Sequence, residues 1–228
     1  MAYADVYARW KADPEEFWMA TAEGIDWNKR PSKALFAEKA PIYEWFADGL
    51  VNTCWNAVDR HVAAGHGDRT AIIHDSPITK SVSKITYGEL QARVAKLAGA
   101  LRAKGIQKGD RVIIYMPMVP EALEAMLACA RLGAIHSVVF GGFAAHELAV
   151  RIDDATPKAI IAASCGLEPG RTVLYKPLVD AAIEQARHKP DFTLIFQRDQ
   201  QTADLLPGRD FDWSEATSAA TPADCVPV

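Results

Sequence analysis

Apolar residues recur along this chain in two alternating patterns, helical stripes and short continuous runs, and the alternation begins at Asn52. Val58 and Val62 with the polar residues between them predict a helix that ends near Gly65 and leads to a strand at Thr70 to His74. The polar stretch Asp75 to Lys84 reads as a hairpin or surface loop. Thr86 and Glu89 have capping-box spacing, and Leu90, Val94, Leu97 and Leu101 form one apolar stripe at helical spacing, closed by Gly105 in a left-handed conformation. The run Arg111 to Tyr115 suits a strand buried on both faces. The unit then repeats: helix Pro120 to Leu132, strand Ala134 to Phe140, helix Ala145 to Asp154, strand Lys158 to Ala163, helix Pro177 to Arg187, strand Thr193 to Phe196. Such alternation predicts an α/β fold in which right-handed crossovers build a parallel sheet flanked by helices on both sides. After Gln197 periodicity is lost, and short elements in surface loop are expected, anchored by Phe211 and Trp213.

The first 50 residues differ. Asp13-Pro14-Glu15-Glu16 is a helix start, with an aspartate to cap, proline at the first helical position and acids in the first turn. Trp10, Phe17, Trp18, Trp27, Trp45 and Phe46 are expected to bury area against a neighbouring surface, so residues 1–50 read as an aromatic-rich helical segment wrapping a main domain at 51–228.

Composition then excludes several function classes. Net charge is −4 with both signs interspersed across 228 residues, which leaves no footprint for nucleic acid or an anionic membrane. The amino terminus carries charges where a signal peptide needs an apolar core, and no apolar run approaches the ~20 residues of a membrane span, so a cytoplasmic location is the expectation. Cys54, Cys129, Cys165 and Cys225 are widely spaced without a CxxC pair, and neither a metal nor a disulfide is expected. Cys129 reads as a small core residue; Cys165, before a glycine turn, is reactive only if its pKa is lowered. His61 and His136 read as packing residues, Asp153 and Asp154 as solvated or arginine-paired acids, and Glu121 and Glu124 as first-turn acids. No residue is assigned a catalytic role.

Gly141 and Gly142, at the carboxyl end of a predicted parallel strand, are the clearest candidate site. Ligands settle at such ends, and glycine lets a backbone approach a cofactor that a Cβ would exclude. A tight strand-to-helix turn needing positive φ accounts for the pair equally well.

The segment TYGELQARVAKLAGALRAKGIQKGDRVIIYMP, Thr86 to Pro117, resembles the first conserved region of the adenylate-forming superfamily, and RLGAIHSVVF, Arg131 to Phe140, resembles the second. Tyr3 to Trp18, Asn52 to Val62 and Val138 to Lys158 are similar to the acetyl- and propionyl-CoA synthetase group within it. The stretch Ala163 to Ile183 resembles the propionate branch, because acetyl-CoA synthetases usually carry Arg-Ala where Glu168-Pro169 stands here.

The resemblance implies part of the large N-terminal domain of an adenylate-forming enzyme, a propionate–CoA ligase that consumes ATP with Mg²⁺ and CoA and yields AMP and pyrophosphate. It places Phe140, Gly141, Gly142 and Phe143 beside the channel of the CoA pantetheine arm, and Arg171 at the CoA nucleotide phosphates. Arg171 reads equally as an ion-paired surface residue. The second arginine of that phosphate-binding pair is Glu168 here, so either CoA is held differently in the propionate branch or Lys176 or a downstream residue compensates. No glycine-rich phosphate cradle occurs in the 228 residues, and Val228 falls just before the family's phosphate loop. The chain is therefore expected to be an inactive amino-terminal portion that binds CoA weakly. An unpaired strand edge or apolar face promoting self-association is expected with it. The alternative is a non-catalytic CoA-binding or scaffold module.

Overall fold

The computed structural model describes residues 2–228, in two units: residues up to Asn52 together with Pro227–Val228, and Thr53–Val226. The smaller unit begins with helices α1 (Tyr3–Ala12) and α2 (Pro14–Ala22). Asp13 caps α2 as its sequence requires, its Oδ1 accepting the Glu16 amide at 2.9 Å. Strands β1 (Trp27–Lys29), β2 (Leu35–Phe36), β3 (Glu44–Trp45) and β4 (Leu50–Val51) form two short antiparallel pairs, β1 with β4 and β2 with β3. These pairs gather Phe17, Trp18, Trp45, Phe46 and Trp27 into one edge-to-face and tilted network with successive ring centroids 5.3–6.1 Å apart. Trp10 lies apart, stacking with Tyr7 along α1.

The larger unit opens with a helix whose segments Trp55–Asp59 and Val62–His66 are π-helical, not α-helical as the spacing predicts, and Gly65 there has φ of 82°. Strands β5 (Thr70–Ser76) and β6 (Ser81–Thr86) form the expected hairpin. In α3 (Tyr87–Ala103) the Thr86–Glu89 capping box is complete and Leu90, Val94, Leu97 and Leu101 are all buried. There follow β7 (Arg111–Met116), α4 (Pro120–Leu132), β8 (Ile135–Phe140), α5 (Ala145–Ala155), β9 (Ala159–Ala163), β10 (Cys165–Glu168), β11 (Arg171–Leu174), α6 (Tyr175–Gln185), β12 (Phe192–Phe196), β13 (Asp210–Asp212) and α7 (Trp213–Ala219). Gly133 ends α4 with φ of 70°.

The main sheet is parallel throughout, in the order β13-β12-β9-β7-β8. The chain steps outward from β7 to β8 and back past it to β9, so right-handed crossovers put α4 and α5 on opposite faces. Helix contacts agree: α4 packs with α3, and α5 with α6. Val112, Ile113, Ile114 and Tyr115 of β7 and every residue of β9 are fully enclosed, each large aliphatic contributing about 1.5–3 kcal/mol. The expectation of a sheet covered on both sides fails at β8. As an edge strand it buries Val139 alone and leaves Ile135, Val138 and Phe140 exposed. His136, expected to pack, is exposed there too, whereas His61 does pack, 5.2 Å from the Tyr87 ring. Among the described residues no helix is long and apolar enough to cross a membrane.

The Phe211 and Trp213 anchors are realised: Trp213 is buried against Phe196, and Phe211 packs on Phe192. Beside them Asp210, with no exposed side-chain surface, receives Arg209 at 2.6 Å, Lys176 at 2.8 Å, the Thr193 hydroxyl at 2.7 Å and the Leu206 amide at 2.8 Å. Burial opposes its ionisation, but these donors overcome it and hold the carboxyl far below the usual carboxylate range. A depressed carboxylate makes the unfolded chain the stronger proton binder, so its contribution is complete above a pH of about 4 and is lost as pH falls further. Between neutral pH and pH ~3 the Tm of the native chain is expected to fall by several degrees more than that of Asp210→Asn, measured by circular dichroism.

Candidate functional site

The carboxyl ends of β7, β8 and β12, the end of β10 and the turn after β5 line a cleft of about 320 Å³, the position where parallel sheets bind ligands. Met116, Pro117 and Met118 line it from β7, Phe140, Gly141 and Gly142 from β8, Leu167 and Glu168 from β10, and Arg198 from the segment after β12. Tyr175, at the start of α6, forms its floor.

Gly141 and Gly142 do form the expected tight turn, the Phe143 amide donating to the Phe140 carbonyl at 3.1 Å, but neither has positive φ, so left-handed backbone is not what requires them. Close approach explains them. A Cβ on Gly141 would overlap the Tyr175 ring and hydroxyl, and a Cβ on Gly166 would overlap the same groups from the other side. The space beside Gly142 is taken by the exposed Phe140 ring. Tyr175 in turn lies 5.0 Å from Tyr115, whose hydroxyl donates to the Phe143 carbonyl at 2.7 Å. Burial, reinforced by Tyr175, pushes Tyr115 up to about 12, so it stays a neutral donor that pins the turn after β8. Phe143 is not among the cleft-lining residues; it packs on Phe140, with the Arg151 guanidinium 4.6 Å from its ring centre.

The strands β10 and β11 form a hairpin in which Glu168 pairs with Arg171 across a Pro169-Gly170 turn, Gly170 having φ of 79°. Arg171 Nε donates to Glu168 at 2.6 Å, at an exposed tip. A second depression, of about 450 Å³, runs along this tip and shares Ile78, Leu167 and Glu168 with the first. Gly141 and Gly142 line the first depression and Arg171 the second, with Leu167 and Glu168 between them. Lys176 does not reach it: the ammonium is buried and held by Asp180 at 2.7 Å and by Asp210 at 2.8 Å.

Asp153 and Glu124 hold structure. Asp153 accepts the Arg187 and His188 amides at 2.7 and 2.9 Å, which hold it below the ordinary carboxylate range. Glu124 is not a solvated first-turn acid but is buried 3.3 Å from Arg93, and burial raises its pKa. Cys129 is enclosed in the core and pushed up to about 12 by burial. Cys54 and Cys225, far apart in sequence, meet at Asp59 with all three ligand atoms within 4.8 Å of one another. Arg131 already fills that cluster with its positive charge, donating to both Asp59 oxygens at 2.8 and 2.9 Å, and so opposes a metal ion there.

The sequence signature described as AMP-binding enzyme matches residues 59–226, and that of the acetyl-coenzyme A synthetase N-terminus matches residues 3–57. The chain belongs to the AMP-binding enzyme family. It is 51% identical over 227 residues to human acyl-CoA synthetase short-chain family member 3, mitochondrial, covering 99% of this chain and 33% of that protein. It is 46% identical over 222 residues to acetyl-coenzyme A synthetase of Xanthobacter autotrophicus, covering 96% and 34%. An uncharacterized protein of Pseudomonas aeruginosa is 54% identical over 228 residues, 100% of this chain and 36% of that one. The chain thus spans about a third of the length of these curated family relatives. Acetoacetyl-CoA synthetase from Streptomyces lividans shares the fold with a TM-score of 0.87 at 23% identity, over 100% of this chain and 34% of that one.

Sequence reasoning missed Met116, Met118, Tyr175 and Arg198 as cleft residues. The carboxyl-end rule that singled out Gly141 applies equally to Met116 and would have found it. Tyr175 and Arg198 arrive from other elements, and no local signal marks them.

Proposed function

We propose that this chain is the N-terminal part of an ATP-dependent, cytoplasmic short-chain acyl-CoA synthetase whose carboxylate is propionate. In the reaction a carboxylate oxygen attacks the α-phosphorus of ATP and pyrophosphate leaves; the CoA thiol then attacks the acyl carbon and AMP leaves. The first step converts a poor electrophile into one with a good leaving group. No residue of the 228 is assigned to ATP or Mg²⁺, so the chain by itself is inactive in this reading.

The observation that carries the proposal is the pair of adjoining depressions, one lined by Gly141 and Gly142 and the other by Arg171, that share Leu167 and Glu168. The pantetheine arm is a narrow chain bearing amides, suited to a cleft with apolar walls and backbone within reach. A guanidinium at the exposed end matches the phosphates of the CoA nucleotide. Relatives named as short-chain acyl-CoA and acetyl-coenzyme A synthetases support the reaction class. The propionate assignment rests on the Ala163 to Ile183 stretch.

In the full-length enzyme, Arg171→Ala is expected to raise the KM for CoA about tenfold, corresponding to ~1.4 kcal/mol, and to leave carboxylate-dependent ATP–pyrophosphate exchange unchanged. Glu168→Ala, which frees Arg171, is expected to lower that KM. An unchanged KM in both variants removes Arg171 from the CoA site; absence of exchange in the native enzyme refutes the synthetase reading itself.

A further inference from the structure

We propose that Cys54 and Cys225 are a redox pair, closing to an intramolecular disulfide when the protein meets a hydroperoxide. Four free cysteines are present, and these two alone share a partner: each thiol donates to Asp59 Oδ2, at 3.7 Å from Cys54 and 3.8 Å from Cys225. Their sulfurs lie within 4.8 Å of each other. Arg131 Nη1 is 3.6 Å from the Cys54 sulfur and supplies the positive charge that favours a thiolate. Cys54 is fully enclosed, whereas Cys225 is partly open to solvent, which gives the two sulfurs different tasks.

The accessible Cys225 sulfur takes an oxygen from the peroxide as the O–O bond breaks and water leaves, forming a sulfenic acid. Cys54 then attacks that sulfur as its thiolate; the S–S bond forms, and the departing hydroxide leaves as water with the thiol proton. Two thiols and one hydrogen peroxide become one disulfide and two waters. With Cys54 ionised the Cys225 S–H can donate to it in place of Asp59, and together with Arg131 this holds Cys54 below the ordinary thiol range, as an attacking group requires; the same hydrogen bond and burial shift Cys225 upward. Oxidation of Cys225 proceeds through its thiolate and accelerates with rising pH.

The product ties two segments already held side by side. The Ala223 amide donates to the Ala95 carbonyl at 2.9 Å and the Val226 amide to the Arg131 carbonyl at 2.8 Å, while Arg131 Nε donates to the Ala223 carbonyl at 2.6 Å. The backbone around Cys225 is thus fixed over α3 and α4, and the disulfide needs no transport of the segment to Cys54.

The test is hydrogen peroxide treatment of the native protein, followed by denaturation without reductant, alkylation and peptide mass mapping. The expected result is a Cys54–Cys225 linked peptide two hydrogens lighter than its parts, with Cys129 and Cys165 alkylated and full alkylation restored by dithiothreitol. Cys225→Ser, at the more exposed position and so compatible with folding, is expected to abolish the linkage and leave Cys54 alkylated. Alkylation of all four cysteines after peroxide, a link to Cys129 or Cys165, or a link between two chains would each overturn the proposal.

Discussion

Arg131→Met is expected to destabilise the chain by about 3–5 kcal/mol in urea unfolding, the cost of breaking a buried ion pair from one side. The Arg131 and Asp59 side chains retain 7% and 4% of their surface, so neither charge has water to fall back on. Burial alone would lower the pKa of Arg131, yet hydrogen bonds to Asp59 more than offset it and raise the value. Removing the guanidinium also takes a donor from the Ala223 carbonyl at 2.6 Å, loosening the segment that runs over α3 and α4. Among the described residues Asp59 keeps the Gln91 amide at 2.8 Å and the two weak thiol donors. Adding Asp59→Leu to Arg131→Met is expected to recover part of the loss, because the orphaned charge goes with it. A loss below ~1 kcal/mol for Arg131→Met would show that Asp59 finds solvent or neutralises at little cost.

Gly141→Ala and Gly166→Ala are expected to cost about 1–3 kcal/mol each, because both new methyl groups drive into one ring, that of Tyr175. Tyr175 is buried between them and cannot swing out without leaving Tyr115 and the cleft floor. A double-mutant cycle isolates the cause: Tyr175→Leu combined with either alanine should lose less than the two single changes together. In the full-length enzyme the same alanines are expected to raise the KM for CoA, since Tyr175 displaced from its slot enters the cleft. Simple additivity would mean that the alanines do not act through the Tyr175 ring.

What the sequence made legible was local chemistry. Pro120 and Gly133 bound α4, and Thr86 with Glu89 starts α3, because caps and turns are decided within a few residues. The enclosed strands β7 and β9 were legible from their unbroken apolar runs. The β8 run looks the same in sequence but ends at the sheet edge, since strand order is set by crossovers and not by the strand itself. The π-helical turns before Gly65 leave no mark in the periodicity. At the site, Gly141 and Gly142 were found by position, but the close approach that requires the first of them comes from Tyr175, an element away. The ion-paired reading of Arg171 is met by Glu168, and Glu-Pro-Gly-Arg is a turn sequence that sets its outer residues opposite each other. Cys54 and Cys225 meet only through Asp59 and Arg131, a contact no spacing rule reaches.

The most direct test of the synthetase reading is AMP formation by the full-length enzyme with ATP, Mg²⁺, CoA and a series of short carboxylates. The account predicts AMP released in step with acyl-CoA and a higher kcat/KM for propionate than for acetate. Preference for acetate would contradict the propionate assignment, and CoA binding with no carboxylate-dependent AMP would contradict the ligase and leave a CoA-binding module in its place.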